Sequence, residues 1–355
     1  MADATSPRAL PTHVRRQASG GSNRSYKVLV VTNLWPTADD PGYGSFVQGQ
    51  MESLRPLGVD YDVLFVNGRR WAWNYLRGIF DLRRRVAASR YDLIHAHFGL
   101  SGWVARFQRR VPVVVSFMGD DVLGRFGPSG RVTPVGRLFQ LSSFILARRV
   151  SAVIVKTERM KAKLGLESAH VIPNGVDLKL FKPTDRAEAR RILALDPEAK
   201  FVLFPFDPAR PNKRFDLVEE AMRLARREIP SLEILKATGV PLSRMPLYVN
   251  AADVLVLASY SEGSPNAVKE AMAVNLPVVS VDVGDVRELI GQTEGCYLVP
   301  SRGEEIAARF VEVCRRGTRT AGRVRMARYA EENIAREIVA VYEAVLGKKG
   351  LRESV

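Results

Sequence analysis

Residues 254–271 read VLVLASYSEGSPNAVKEA. Four apolar residues without polar alternation mark a strand buried on both faces, as in a parallel sheet. Gly263, Ser264 and Pro265 then break the run. Ser264 fits the N-cap of a helix and Pro265 its first position, where a missing N–H costs nothing. The spacing predicts a helix over 265–274. In such a unit the N–H groups around Gly263 to Ala267, those of Asn266 and Ala267 above all, are free to face an anion, and the helix dipole adds positive potential. Glu262 precedes the helix and Glu270 lies within it. A carboxylate accepts two hydroxyl donors, so each suits a polyol such as ribose or a hexose. Two Glu eight residues apart also describe a loop carboxylate plus a solvent-facing helical one, and spacing alone leaves both readings open.

The same strand–helix unit recurs on both sides. Apolar runs at 26–33, 61–66, 93–97, 111–117, 152–156 and 170–172 alternate with helical stretches, including a long one between 117 and 152. The series restarts after Pro183, with runs at 201–206, 232–236, 254–258, 277–281 and 297–299. Short apolar strands alternating with helices give an α/β fold of two doubly wound, Rossmann-like domains. The expected divisions are a disordered polar tail over 1–25, a first domain over 26–183 and a second over 184–333. Ligands of such sheets bind outside the carboxyl ends of the strands, here in the cleft between the domains.

The 355 residues, 46% hydrophobic and 26% charged, suffice for two cores and exclude a wholly disordered chain. No apolar run approaches the ~20 residues of a membrane span. Only Cys296 and Cys314 are present, too few for a disulfide scaffold or a four-cysteine metal site, which points to a reducing, cytoplasmic setting. The N-terminal residues lack the apolar block of a secretory leader.

The net charge of +15 is unevenly spread. Residues 26–183 hold 23 basic against 12 acidic side chains, whereas 184–355 hold 26 against 25. A basic half suggests a polyanionic or anionic-membrane partner. Its densest part is GRRWAWNYLRGIFDLRRRVAASR, residues 68–90. As a helix it aligns Trp71, Tyr75, Ile79, Leu82 and Val86, flanked by arginines, and suits an anionic lipid interface. A surface helix packing its aromatics into the domain core is the other reading. No helix-turn-helix, zinc-finger or RNP pattern supports nucleic acid as partner.

The span from Met245 to Ile290, with PLYVNAADVLVLASYSEGSPNAVKEAMAVNLPVVSVDVGDVREL at 246–289, resembles the donor-site signature of glycosyltransferase family 4, retaining enzymes of the GT-B fold. Its E-x7-E element is Glu262 to Glu270. DVGDVRE, residues 282–288, resembles the D-x-G-G-x-x-E loop with Asp285 at the second Gly, and Asn275 stands where Gly is commonest. VLVVTNLWP with GYGSF, DLIHAHFG, VVVSFMGDD and VIPNGVDLKLF resemble further landmarks in order, so the likeness spans nearly the whole chain.

The resemblance implies a retaining glycosyltransferase that moves a sugar from a nucleotide diphosphate sugar, UDP first and GDP next, to an acceptor hydroxyl in polysaccharide or glycolipid synthesis. Glu270 would hold the ribose hydroxyls and Glu262 those of the transferred sugar. Backbone amides of Gly263, Ser264, Pro265's neighbour Asn266 and Ala267 would meet the sugar or phosphates. The loop Gly42-Tyr43-Gly44 would approach the diphosphate from the first domain, which would hold a saccharide or lipid-linked acceptor. Lys213 matches the family's phosphate-facing Lys. The Arg five residues before it is replaced by Pro208, and Arg210 is the substitute. In SFMGDD, Met118 takes the position of a His, while Gly119 and Asp121 are retained. A thioether cannot relay a proton, so His97, on the loop after a strand, and Asp121 are the remaining catalytic candidates. No cofactor and no metal are expected; Asp120-Asp121 has no ordered cluster of further ligands beside it. The helix over 334–355 should cross back onto the first domain. The location implied is cytoplasmic, peripheral at the inner membrane face. Two other functions fit the same fold. A nucleotide-sugar epimerase would need acid–base groups that the second half, with no His after His170, does not offer. A non-catalytic sugar-nucleotide binder is suggested by Met118 and the displaced Arg.

Overall fold

The computed structural model of the chain describes residues 25–353, so all but the last residue of the expected 1–25 tail lies outside it. The first lobe runs β1 (Tyr26–Thr32), α1 (Ser45–Leu54), β2 (Val59–Phe65), α2 (Asn74–Ala88), β3 (Leu93–His97), α3 (Gly99–Arg106), β4 (Val113–Ser116), α4 (Asp120–Leu123), α5 (Pro134–Ala147), β5 (Ala152–Val155), α6 (Glu158–Leu164) and β6 (His170–Val171). The second runs α7 (Arg186–Ile192), β7 (Lys200–Phe204), α8 (Phe215–Ala225), β8 (Leu232–Lys236), α9 (Met245–Ala251), β9 (Val254–Leu257), α10 (Asn266–Ala273), β10 (Val278–Ser280), α11 (Val286–Ile290), β11 (Tyr297–Leu298), α12 (Gly303–Arg316) and α13 (Gly322–Met326). A last helix, α14, spans Glu331–Glu353.

The sheets are parallel, in the orders β2-β1-β3-β4-β5-β6 and β11-β10-β9-β7-β8. Each strand feeds both faces, because successive side chains alternate. Val28 and Val30 of β1 enter one core, Leu29 and Val31 the other. In β9, Val254 and Val256 pack with α8 and α12, while Leu255 and Leu257 pack with α10 and α11. Two-sided burial is why these strands read as continuous apolar runs. Because the strands of each sheet run parallel, their carboxyl ends share one edge, and the loops after β4 and β9 meet across the two lobes at Gly119 and Gly263.

The chain crosses between lobes twice, side by side. Val176 N–H donates to Tyr329 O and Glu331 N–H to Val176 O. α14 then packs on the first lobe through Ile334, Ala335, Ile338, Val341 and Tyr342. Tyr342 Oη lies 2.7 Å from His95 Nδ1, and His95 Nε2 lies 2.8 Å from Ser116 Oγ.

Two local expectations need correction. The stretch between 117 and 152 is two helices, α4 and α5, because a loop with Gly124 and Gly130 at positive φ separates them. Trp71 is not in α2. Asn67 Oδ1 accepts from Arg70 N–H and Asn74 Nδ2 donates to Asn67 O, so the chain turns over 67–73 before the helix begins. Tyr75, Ile79, Leu82 and Val86 do pack into the core, whereas Trp71 faces solvent.

Candidate active site

The loop after β9 and the start of α10 meet the first lobe at the cleft floor. α10 begins at Asn266, one residue later than expected, with Pro265 at its N-cap. Ser264 does not cap it: Ser264 Oγ donates to Asp285 Oδ2 at 2.6 Å and pins the loop to the start of α11. The first-turn N–H groups therefore have neither an intrahelical acceptor nor a side-chain cap. Asn266 Oδ1 accepts from Asn174 Nδ2 at 3.2 Å, at the crossing between lobes.

Lys213 Nζ donates to Glu262 Oε1 at 2.5 Å, and both side chains are largely enclosed. Pro211–Lys213 forms a 3-10 turn after β7. Asn212 Nδ2 donates to Ser261 O, and Tyr260 N–H donates to Asn212 O, which fixes this turn against the loop after β9. Lys213 Nζ also lies 4.0 Å from the centre of the Phe206 ring, a cation–π contact. Arg210 is exposed one turn earlier, with no ion-pair partner among the described residues.

Gly119 and Gly263 let the lobes touch backbone to backbone, and Gly284 lets the loop after β10 close on Gly263 within the second lobe. A Cβ on Gly263 would stand 2.7 Å from Met118 O, one on Gly119 3.2 Å from Gly263 N, and one on Gly284 2.2 Å from Gly263 O. Met118 thus contributes its carbonyl, not its thioether, to the contact. Higher on the same wall, a Cβ on Gly42 would lie 3.2 Å from Val240 O of the second lobe. Gly44 has φ +73° at the N-cap of α1, and a Cβ there would fall 2.2 Å from Leu34 C. Gly44 is thus demanded by its own turn.

Asp121 does not serve as a cleft acid. Its carboxylate accepts N–H bonds from Gly99, Met118 and Gly119 at 2.9–3.1 Å and is enclosed. Burial pushes it up to about 6, against the pull of the Gly119 and Met118 amides. Its work is to tie the loop after β4 to the start of α3. The cleft carboxylate is its neighbour Asp120, which burial pushes up, with Arg210 and Lys213 pulling down and Glu262 pushing further. Those couplings put Asp120 beside Arg210, Lys213 and Glu262 of the second lobe. Among the described residues no three His, Cys, Asp or Glu side chains gather in metal-binding geometry.

His97 is likewise misplaced as a catalytic candidate. It ends β3 rather than lying on a loop, and it is completely buried. Its Nε2 is 3.2 Å from Gln50 Nε2, and its ring centre lies 4.2 Å from that of His95, the planes tilted by 33°. Burial, then His95 and Lys156, hold it neutral, well below the usual imidazole range. Sequence reasoning also passed over two buried lysines. Lys156, just after β5, is enclosed and its Nζ has no hydrogen-bond partner among the described residues. Burial, then the charge of Lys269, lowers it to about 7, with Asp121 opposing. Lys269 of α10 is fully buried, its Nζ 3.3 Å from Ser264 O.

Glu270 is half-buried on α10. Burial pushes it up to about 7, Lys269 opposing and Glu331 of α14 adding to the rise. Glu331 Oε1 in turn would lie 3.1 Å from a Cβ on Gly49 of α1. Glu262 and Glu270 therefore both face the side of the second lobe that meets the first.

Comparison with known proteins bears on this arrangement. Residues 9–175 match the pattern described as "Glycosyl transferase 4-like domain" and residues 188–316 that described as "Glycosyl transferases group 1". The lipopolysaccharide core biosynthesis mannosyltransferase LpsB of Rhizobium meliloti (strain 1021) is 31% identical over 242 residues, covering 58% of this chain and 68% of that one. The chain belongs to glycosyltransferase family 4. A second member, TuaC of Bacillus subtilis (strain 168), assigned to teichuronic acid biosynthesis, is 26% identical over 344 residues, covering 79% of this chain and 87% of TuaC. The fold is GT-B. Sucrose-phosphate synthase from Thermosynechococcus elongatus superposes with a TM-score of 0.74 at 19% identity, over 92% of this chain and all of that one. Anabaena Alr3699/HepE, solved in complex with UDP and glucose, gives 0.65 at 18% identity, over 90% of this chain and all of that one. The protein is a glycosyltransferase.

Proposed function

We propose that this family member transfers a sugar from a nucleotide diphosphate sugar, a UDP-sugar first, to a hydroxyl of a saccharide or lipid-linked acceptor, with retention at the anomeric carbon. The observation that carries this reading is the pairing of Lys213 with Glu262 beside the uncapped start of α10, at the seam with the first lobe. A cation, a sugar-binding carboxylate and free helix amides are then within one small volume. HepE, of the same fold, was solved with UDP and glucose, which supports the choice of donor.

In this reading the diphosphate lies at the α10 N-terminus. Lys213, with Arg210 reaching from the cleft mouth, offsets the charge that develops on the leaving oxygen. Glu262 orients the sugar and Glu270 the ribose diol. Of the cleft carboxylates, Glu262 is already held by Lys213 and burial pushes Asp120 up toward its protonated form, so neither is a ready covalent nucleophile and the transfer is written as a front-face displacement. The C1–O bond to phosphate breaks with its electron pair going to the diphosphate. The acceptor oxygen forms the new bond to C1 on the same face, and its proton passes to the departing phosphate oxygen. The enzyme supplies position and field rather than a general base, which accords with Met118 at the His position and with His97 inside the lobe. Closure of the two lobes at Gly119 and Gly263 keeps water off the donor.

A thermal-shift panel of UDP-, GDP- and ADP-sugars tests the donor, since a ligand bound to the native state raises the melting point. A rise of several degrees with one UDP-sugar, followed by nuclear magnetic resonance of the product anomer, is the expected result. An inverted anomer, or no shift with any nucleotide sugar, overturns the reading.

A further inference from the structure

Helices α2, α3 and α5 form one layer on the first sheet, with α3 in contact with both others. Their inward side chains, such as Leu82, Val104 and Leu146, build the core. Their outward side also carries large apolar side chains, set among arginines on α2, which a solvated layer does not need. On α2, Leu76 and Phe80 face out, following Trp71 and Trp73. On α5, Val135, Leu138, Leu141 and Ile145 recur at helical spacing and are exposed, Leu138 by 63% and, on α2, Phe80 by 71%. Phe107 stands out at the end of α3. Nine of the eleven large apolar side chains exposed among the described residues thus fall on this one layer, so they are not the usual scatter.

At the end of the layer away from the cleft lies a groove of about 770 Å³, lined by Arg83, Arg106, Arg109, Arg110 and Arg149 around Trp103. A second, of about 580 Å³, adjoins it and adds Arg148. Neither is lined by a carboxylate. Among the described residues none of these six arginines is in an ion pair; Arg106, Arg148 and Arg149 donate to backbone carbonyls instead. Unneutralised guanidinium groups around a groove suit phosphate, and exposed aliphatic and Trp side chains beside them suit an acyl–headgroup boundary.

We propose that the outer face of α2, α3 and α5 docks on an anionic phospholipid bilayer, the arginine grooves taking headgroup phosphates and the two apolar stripes entering the boundary region. A nucleic acid would use the arginines but not the aliphatic stripes. The geometry also gives an orientation. α2 and α5 each start at the carboxyl edge of the sheet, the cleft edge. The loop before α5 touches the second lobe, where Phe126 stacks on Tyr260 with ring centres 6.4 Å apart. Docking along this face puts the cleft mouth beside the headgroup plane, where a lipid-carried acceptor is presented. The proposal does not depend on the donor chemistry, since vesicle binding needs no turnover.

The test is co-sedimentation of the full chain with phosphatidylcholine vesicles, with and without 40% phosphatidylglycerol. At least ten-fold stronger partition onto the anionic vesicles is expected, falling as salt rises. The triple change Phe80→Ser, Leu138→Ser and Leu141→Ser, all at exposed positions, should lower partition at least ten-fold at unchanged melting temperature. Arg106→Gln with Arg109→Gln and Arg110→Gln should do the same. Equal partition onto neutral and anionic vesicles overturns the proposal. So does an apolar triple variant that binds as the parent does, or tighter binding of a 30-nucleotide RNA than of anionic vesicles. The nucleotide-sugar thermal shift of the same variants, read in parallel, separates failure of this docking from failure of the donor reading.

Discussion

Lys213 and Glu262 meet at 2.5 Å although 49 residues separate them, joining the turn after β7 to the loop after β9. The pair gives each group a defined place before substrate arrives: each restrains the other, and in the proposed reading Lys213 is the group that meets the leaving phosphate. Lys213→Ala is expected to lower kcat about 10²- to 10³-fold, the scale of removing one preorganised charge-stabilising donor. KM for the donor should change far less. Steady-state kinetics over donor concentration checks this, and a variant that raises KM alone would reduce Lys213 to a binding contact.

Glu270 gives a pH dependence whose sign follows from its surroundings. Burial holds its carboxyl near 7 in the free protein, so at pH 6 it is mostly protonated. Ribose hydroxyls donate best to the carboxylate. Affinity for a UDP-sugar, whose diphosphate does not titrate in this range, should therefore rise from pH 6 to pH 8. Glu270→Gln should flatten that profile and weaken binding about 10- to 100-fold at pH 8, the loss of charge-assisted hydrogen bonds. Glu331→Gln, by removing a neighbouring negative charge, should move the midpoint down. Calorimetric titration across the range reads all three.

Much of this arrangement was legible in the sequence. Strands buried on both faces appear as unbroken apolar runs, and a Gly-Ser-Pro break marks the start of α10 to within one residue. What escaped reading depends on contacts between distant segments. Ser264 is drawn from its cap by Asp285, 21 residues on. Asp121 and Asp120 are adjacent and chemically alike, yet one faces three backbone amides and the other faces Arg210 and Glu262. His97 looks like a free imidazole until Gln50 and His95 close around it. Lys156 gives no signal beyond its place directly after the strand AVIV, because lysine is read as exposed by default.

Gly263 is expected to be intolerant of even one methyl group. Its φ is not in the left-handed region, so alanine strains nothing locally, but the new Cβ would stand 2.7 Å from Met118 O across the seam. Gly263→Ala should leave the second lobe's own core intact and hold the lobes apart by about 1 Å. A displacement of that size costs about 10²-fold in turnover. Small-angle scattering should show a larger radius of gyration than the parent. An unchanged radius with full activity would mean that the lobes do not close at this contact during turnover.

Lys156 makes the stability of the protein depend on pH in an unusual direction. Burial, reinforced by Lys269 and opposed by Asp121, lowers its ammonium from 10.5 to about 7. Between those values the unfolded chain holds a proton that the folded chain has released. Stability therefore rises with pH across that window, by up to about 1.4 kcal/mol per unit from this group alone. Below about 7 the whole penalty is in place, since the folded protein must then carry an unpaired charge inside the first lobe. Lys156→Met keeps the length of the side chain and removes the charge. Its melting temperature should exceed the parent's at pH 7, and the gap should close as pH approaches 10. Calorimetric melting at pH 7, 8.5 and 10 reads this directly. A gap of constant size would show that Lys156 keeps its proton in the folded protein and finds an anionic partner there.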